Sequence, residues 1–152
     1  MSNTGLEVFD KTVQLTNTWL GEIMERLGPD RQLAWHVLGA VLRTVRDRLS
    51  LGLAVHLGAQ LPLLVRGTYY DQWEPNQQPQ KWRSQEEFLA AVSEKLRNVR
   101  PVSPVDAARS VFMVLNHHIE PGQAAHVRDA LPEEVRRIWP VTNADVRGAS
   151  AA

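Results

Sequence analysis

A chain of 152 residues, 43% of them hydrophobic, is long enough to bury one sizeable core without covalent staples. It contains no cysteine, which excludes a disulfide framework, a thiol nucleophile and thiolate metal ligands, and suits a reducing compartment. Its 17 basic and 17 acidic side chains cancel, so no net field gathers nucleic acid or anionic lipid over long range. The opening "MSNTGLEVFDK" lacks a basic stretch leading into an apolar run, and no segment approaches about 18 apolar residues. The sequence therefore predicts a cytoplasmic protein with no membrane contact, and it does not point to nucleic acid as a partner.

From Glu7 to Leu27 the positions Phe9, Val13, Leu20, Ile23 and Leu27 keep a four-three spacing, with Thr16 filling the gap, and predict one helix that Gly28-Pro29 ends. Asp30 is placed to cap a second helix whose stripe is Trp35, Leu38, Leu42, Val45 and Leu49. A third helix starts after Ser50 and breaks at Leu61-Pro62, because proline has no N–H to donate. Proline suits a first helical turn, so "PLLVRG" continues as a short helix at an angle.

Residues 68 to 83, "TYYDQWEPNQQPQKWR", read as a long loop rich in aromatic and glutamine side chains. Ser84-Gln85-Glu86-Glu87 forms a capping box that opens the next helix. Ser103 and Pro104 then start another, with Val105, Ala108, Phe112, Leu115 and Ile119 as its stripe, and Glu120-Pro121 a third. Leu131-Pro132 repeats the break, and "PEEVRRIW" repeats the short helix. The tail from 141 to 152 has too little apolar content to pack and is expected to be mobile.

The chain says nearly the same thing twice. "GLAVHLGAQLPLLVRG" (52 to 67) aligns without a gap on "GQAAHVRDALPEEVRR" (122 to 137), with identities at Gly52, Ala54, His56, Leu61, Pro62, Val65 and Arg66. The stripes of the second helices align at the same shift of seventy, and those of the first helices at sixty-nine. The expected fold class is all-α: two tandem three-helix repeats, about 8–67 and 84–139, packed into one domain spanning 1–152 with the linker 68–83 between them. Residues 19 to 66 and 88 to 136 are expected to share one helix order.

The strings "GAQLP" (58 to 62), "LLVRGTYYDQWEP" (63 to 75), "EEFLAAV" (86 to 92) and "ALPEEVRRIWP" (130 to 140) resemble the bacterial family called domain of unknown function 2267. The resemblance spans roughly residues 8 to 140. It implies a helical, bacterial, cytosolic protein, and it brings no activity, substrate or catalytic residue.

No catalytic constellation is visible. There is no Gly-x-Ser-x-Gly elbow or glycine-rich phosphate loop, and Glu86-Glu87 and Glu133-Glu134 fall in first turns, where they complement the helix dipole. The repeated His56 and His126 point away from the apolar stripe of the third helices. Adjacent His117 and His118 diverge by about 100 degrees on a helix, so they are not expected to share one ion, and they read as a solvated helix end. Arg43, Arg46 and Arg48 read as a solvated basic face.

Tyr69, Tyr70 and Trp73 either fold back over the core or form an interaction surface, since aromatic residues favour interface hot spots. Leu53, Gly58, Ala59, Leu63 and Leu64 stand where the second copy has Gln123, Arg128, Asp129, Glu133 and Glu134. The first copy thus lacks a polar side, and something must cover residues 53 to 64: the first helix or the aromatic linker, with a second copy in a homodimer or a foreign helix as alternatives.

The functional expectation is a non-catalytic scaffold or protein-interaction module with an unidentified protein partner, no catalytic residue, no metal and no cofactor. Its candidate interaction residues are Tyr69, Tyr70, Trp73 and Leu63. The alternative is a small metal-binding protein or enzyme built on His56, His126 and His118.

Overall fold

The computed structural model describes residues 3–141, so the expectation for the tail lies almost wholly outside the described residues. Among them the chain forms eight α-helices: α1 (Glu7–Leu27), α2 (Arg31–Arg48), α3 (Leu51–Ala59), α4 (Leu63–Tyr70), α5 (Gln85–Lys95), α6 (Pro104–His118), α7 (Pro121–Ala130) and α8 (Glu133–Arg136). A 3-10 turn covers Pro75–Gln77, and no described residue is in a strand. None of these helices is long and apolar enough to cross a membrane.

The helix boundaries follow from local chemistry. Gly28, at a φ of 106°, closes α1 by donating its N–H to the Met24 carbonyl, a conformation that side chains rarely adopt. Asp30, Ser50, Ser84 and Ser103 each accept from the backbone N–H three residues on and so start α2, α3, α5 and α6. The Ser84–Glu87 capping box is complete. The two Leu-Pro breaks fall where the sequence puts them, each followed by a short helix.

Helices α2 and α6 form the centre. α2 packs against α1, α4, α5 and α6, while α6 packs against α1, α2, α5 and α7. The predicted α2 stripe is present, but Leu33, Val37 and Val41 on its other sides are buried as well. On α1 the buried face is Thr12, Thr16, Trp19, Leu20 and Ile23. The first members of the predicted stripe, Phe9 and Val13, remain 47% and 39% exposed, because Val13 lies at the edge of the face that starts at the buried Thr12 and Phe9 lies one turn before that face begins.

The arginines of α2 are the main departure from expectation. They do not face solvent as a basic patch; they hold the chain that follows α3. Arg43 donates to the Thr68 hydroxyl (2.9 Å) and carbonyl (3.3 Å), and Gly39 leaves room, since a Cβ there would lie 2.9 Å from that hydroxyl. Arg46, only 3% exposed, donates to the carbonyls of Tyr69 (2.7 Å) and Asp71 (2.9 Å) and pairs with Asp47 at 2.8 Å. Arg48 donates to the Trp82 carbonyl at 2.9 Å and lies over that indole ring.

The linker answers in kind. The side-chain amide of Gln78 donates to the Arg46 and Leu49 carbonyls, and the Gln80 N–H donates to the Asp47 carbonyl at 2.8 Å. Carbonyls at the end of a helix lack a full set of partners within it: the Arg46 carbonyl also accepts the Leu49 N–H at 3.3 Å, and the linker adds donors for it and for Asp47 and Leu49.

Arg46→Met keeps most of the apolar stem while removing every donor to Tyr69 and Asp71. Stranding two carbonyls and the Asp47 carboxylate predicts a loss of about 2–4 kcal/mol in urea unfolding. A change below about 0.5 kcal/mol, the size of an ordinary surface substitution, would show that the clamp adds nothing to stability.

Candidate functional site

The repeated phrase supplies buried contacts rather than reactive groups. Ala54, Leu57, Leu61 and Val65 are enclosed, as are Ala124, Val127, Leu131 and Val135. Arg66 donates to the Ala59 and Leu61 carbonyls at 3.4 and 3.0 Å, and Arg136 donates to those of Asp129 and Leu131 at 3.2 and 2.9 Å. Each arginine thus ties the end of one short helix across its Leu-Pro break. His56 and His126 are exposed on α3 and α7, facing away from these contacts.

The linker aromatics lie mostly inside. Tyr69 is fully enclosed and donates its hydroxyl to the Ala54 carbonyl at 2.6 Å, and burial pushes its pKa far above the ordinary tyrosine value. It cannot touch a partner in this fold, which removes it from the candidate interaction residues. Tyr70 is half-buried over α3, where a Cβ on Gly58 would lie 2.2 Å from its hydroxyl oxygen, and that explains a glycine where the second copy has Arg128. Trp73 is half-buried against the core and donates to the Gln78 side-chain oxygen at 3.1 Å.

Cover for residues 53 to 64 is incomplete within the chain, contrary to the leading expectation. Leu53 is half-buried and Gly58 is covered, but Leu51, Val55, Leu63 and Leu64 are 51%, 45%, 48% and 46% exposed. The reason is directional: the linker turns back along α2, while α1 meets α4 where Thr12 accepts from the Leu64 N–H at 3.1 Å. Leu64 instead forms one wall of an open groove of about 680 Å³ with Thr16, Leu20 and Trp35, rimmed by Arg31 and His36. Phe9 and Val13 extend that side of α1, and the buried Thr16 hydroxyl has no partner among the described residues.

A second constellation joins α1 to the end of α6. His117 Nδ1 lies 2.9 Å from Glu22 Oε1, and His118 Nε2 meets Glu22 Oε2. This corrects the expectation that adjacent histidines diverge. One ring uses the nitrogen near its backbone and the other its far nitrogen, which offsets the angle between their Cα–Cβ bonds. His118 is stacked on Trp19 with centroids 5.4 Å apart, whereas the His117 side chain is 67% exposed. Burial acts to raise the Glu22 pKa, but hydrogen bonds and charge from both histidines outweigh it and hold the carboxyl below the ordinary carboxylate range. Among the described residues this is the group of three whose donor atoms could meet at one ion, and it includes neither His56 nor His126.

The chain matches a family described as "Uncharacterized conserved protein (DUF2267)" over residues 16–138, and it belongs to that family. No curated protein matches it. The matched region begins inside α1, after the turns that carry Phe9 and Val13.

The placement of Trp73 makes its contribution measurable. Trp73→Ala should cost about 2–4 kcal/mol in denaturant unfolding, toward the lower end of buried aromatic truncations because the ring is only half covered. A cost under about 0.5 kcal/mol would mean that the ring stabilises nothing and would favour it as an interaction residue.

Proposed function

We propose that this DUF2267 protein is a non-catalytic helical interaction module of the cytoplasm, built as a tandem repeat and binding a second copy of itself through the groove between α1, α2 and α4. The observation that carries this reading is a difference between corresponding positions. Leu63 and Leu64 open α4 and are nearly half exposed, while Glu133 and Glu134 open α8, also exposed. The packing of the unit therefore does not require leucine there, and exposed leucines cost solubility without a fold-level return.

The repeat reading rests on paired contacts. α1 packs on α2 as α5 does on α6, α1 meets α6 as α5 meets α2, and α1 meets α4 as α5 meets α8. α2 with α6 and α3 with α7 then meet as counterparts. These pairings support two similar units related by a local two-fold, while the packing of α4 on α2 and α3 has no equally extensive counterpart for α8.

A second copy is the favoured occupant because the chain carries both halves of the contact. It has a groove walled by Leu20, Trp35 and Leu64, and it has an exposed helix edge with Phe9 and Val13 on the same side. Two such edges packed about a two-fold axis cover each other, as an isologous dimer requires.

Light scattering over a range of protein concentrations tests the reading. The parent should dimerise, and Leu64→Glu should remain monomeric with stability within about 0.5 kcal/mol of the parent. A parent that stays monomeric throughout, or a variant that associates equally well, would sink the second copy as occupant.

A further inference from the structure

We propose that Glu22, His117 and His118 form a binding site for one divalent transition-metal cation of the zinc class. Two imidazole nitrogens and one carboxylate are the donor set that borderline metals favour, and it leaves out the hard-oxygen cage that calcium or magnesium would need. Their donor atoms already lie within 4.8 Å of one another. In a zinc site each donor stands about 2.0–2.2 Å from the metal, so neighbouring donors are roughly 3.0–3.5 Å apart. The His117–Glu22 separation of 2.9 Å is near that spacing, so side-chain adjustment without helix movement suffices.

The surroundings favour a cation. Both histidines occupy the last turn of α6, where the unpaired carbonyls give the helix end a partial negative charge. Stacking on Trp19 holds the His118 ring, so part of the ordering cost is met before the ion arrives. His117 supplies the adaptable ligand. Beside it lies a cavity of about 200 Å³, lined also by Glu25, Arg26, Ser110 and Met113, which leaves space for water or another small ligand on the metal. Three protein donors with an accessible side are the arrangement of an open metal site rather than a closed structural one.

The test uses the full chain without a polyhistidine tag, stripped with chelator and titrated calorimetrically with zinc sulfate. One equivalent should bind per chain, and cobalt(II) should give the visible absorption of a low-symmetry nitrogen–oxygen site. His117→Ala and Glu22→Gln should weaken binding roughly tenfold or more, since even outer-shell changes at metal sites cost about 10–100-fold. His117 is largely exposed, so its variant is expected to stay folded; thermal melting checks this. The double variant His56→Ala/His126→Ala should bind as the parent does. Failure of the parent to bind an equivalent, binding undiminished in a folded His117→Ala, or loss in the double variant would each overturn the proposal.

Discussion

The structure depends on how the chain crosses from its first half to its second without stranding backbone polar groups. The end of α4 and the inner side of the linker lie against the buried second half of α2, where Arg46 is 3% exposed and water has little access. Three arginines within the last two turns of α2 meet that need by donating to Thr68, Tyr69, Asp71 and Trp82. A guanidinium is suited to this because it offers several donors in a rigid fork and keeps its charge while partly desolvated. Gln78 and Gln80 return the favour to the end of α2. The long connection is consequently a structural element in its own right, and its aromatic side chains close the core instead of reaching outward.

That clamp also separates what the repeat preserves from what it does not. Arg66 and Arg136 make the same pair of bonds across the same Leu-Pro break, and Ala54, Leu61 and Val65 are buried as their counterparts are. Those identities are packing rules. The non-identical positions are where the halves meet different surroundings: Gly58 admits the Tyr70 ring that the second copy lacks, and Leu63 and Leu64 stand on a surface where the second copy puts glutamates.

Local signals were readable from sequence, and long-range ones were not. Capping by Asp30, Ser50 and the Ser84–Glu87 box depends on residues within three positions, so it is written in the string itself. The phase of the α1 stripe was also legible, but not how far along α1 its neighbours reach, which decides that Ile23 is enclosed and Phe9 is not. Arg46 reads as a surface residue because charged side chains are seldom fully buried unpaired, and its partners are backbone carbonyls that any sequence would carry. His117 and His118 share a carboxylate 95 and 96 positions away, a contact that only the α1–α6 crossing creates. Neither spacing nor composition encodes that crossing.

The same crossing gives α1 two exposed edges on opposite sides of its buried seam. At about 100 degrees per residue, Glu22 lies roughly half a turn around the helix from the side that holds Phe9, Val13 and Leu20. The buried residues between them, Trp19 and Ile23, fix α1 against the core. A ligand at the Glu22 edge would pin α1 to α6, whereas an occupant of the opposite edge would pin it toward α2 and α4. These are different contacts of one rigid helix, so each could influence the other only by restricting how α1 rides on the central pair. Such coupling is reciprocal and no larger than the difference in affinity between the positions α1 can take. Because Trp19 and Ile23 are packed almost without exposure, at 2% and 0%, that range of positions is narrow in the part of α1 nearest the histidines. The groove is itself lined by Thr16 and Leu20, on either side of Trp19, so both edges bear on the same anchored stretch of α1.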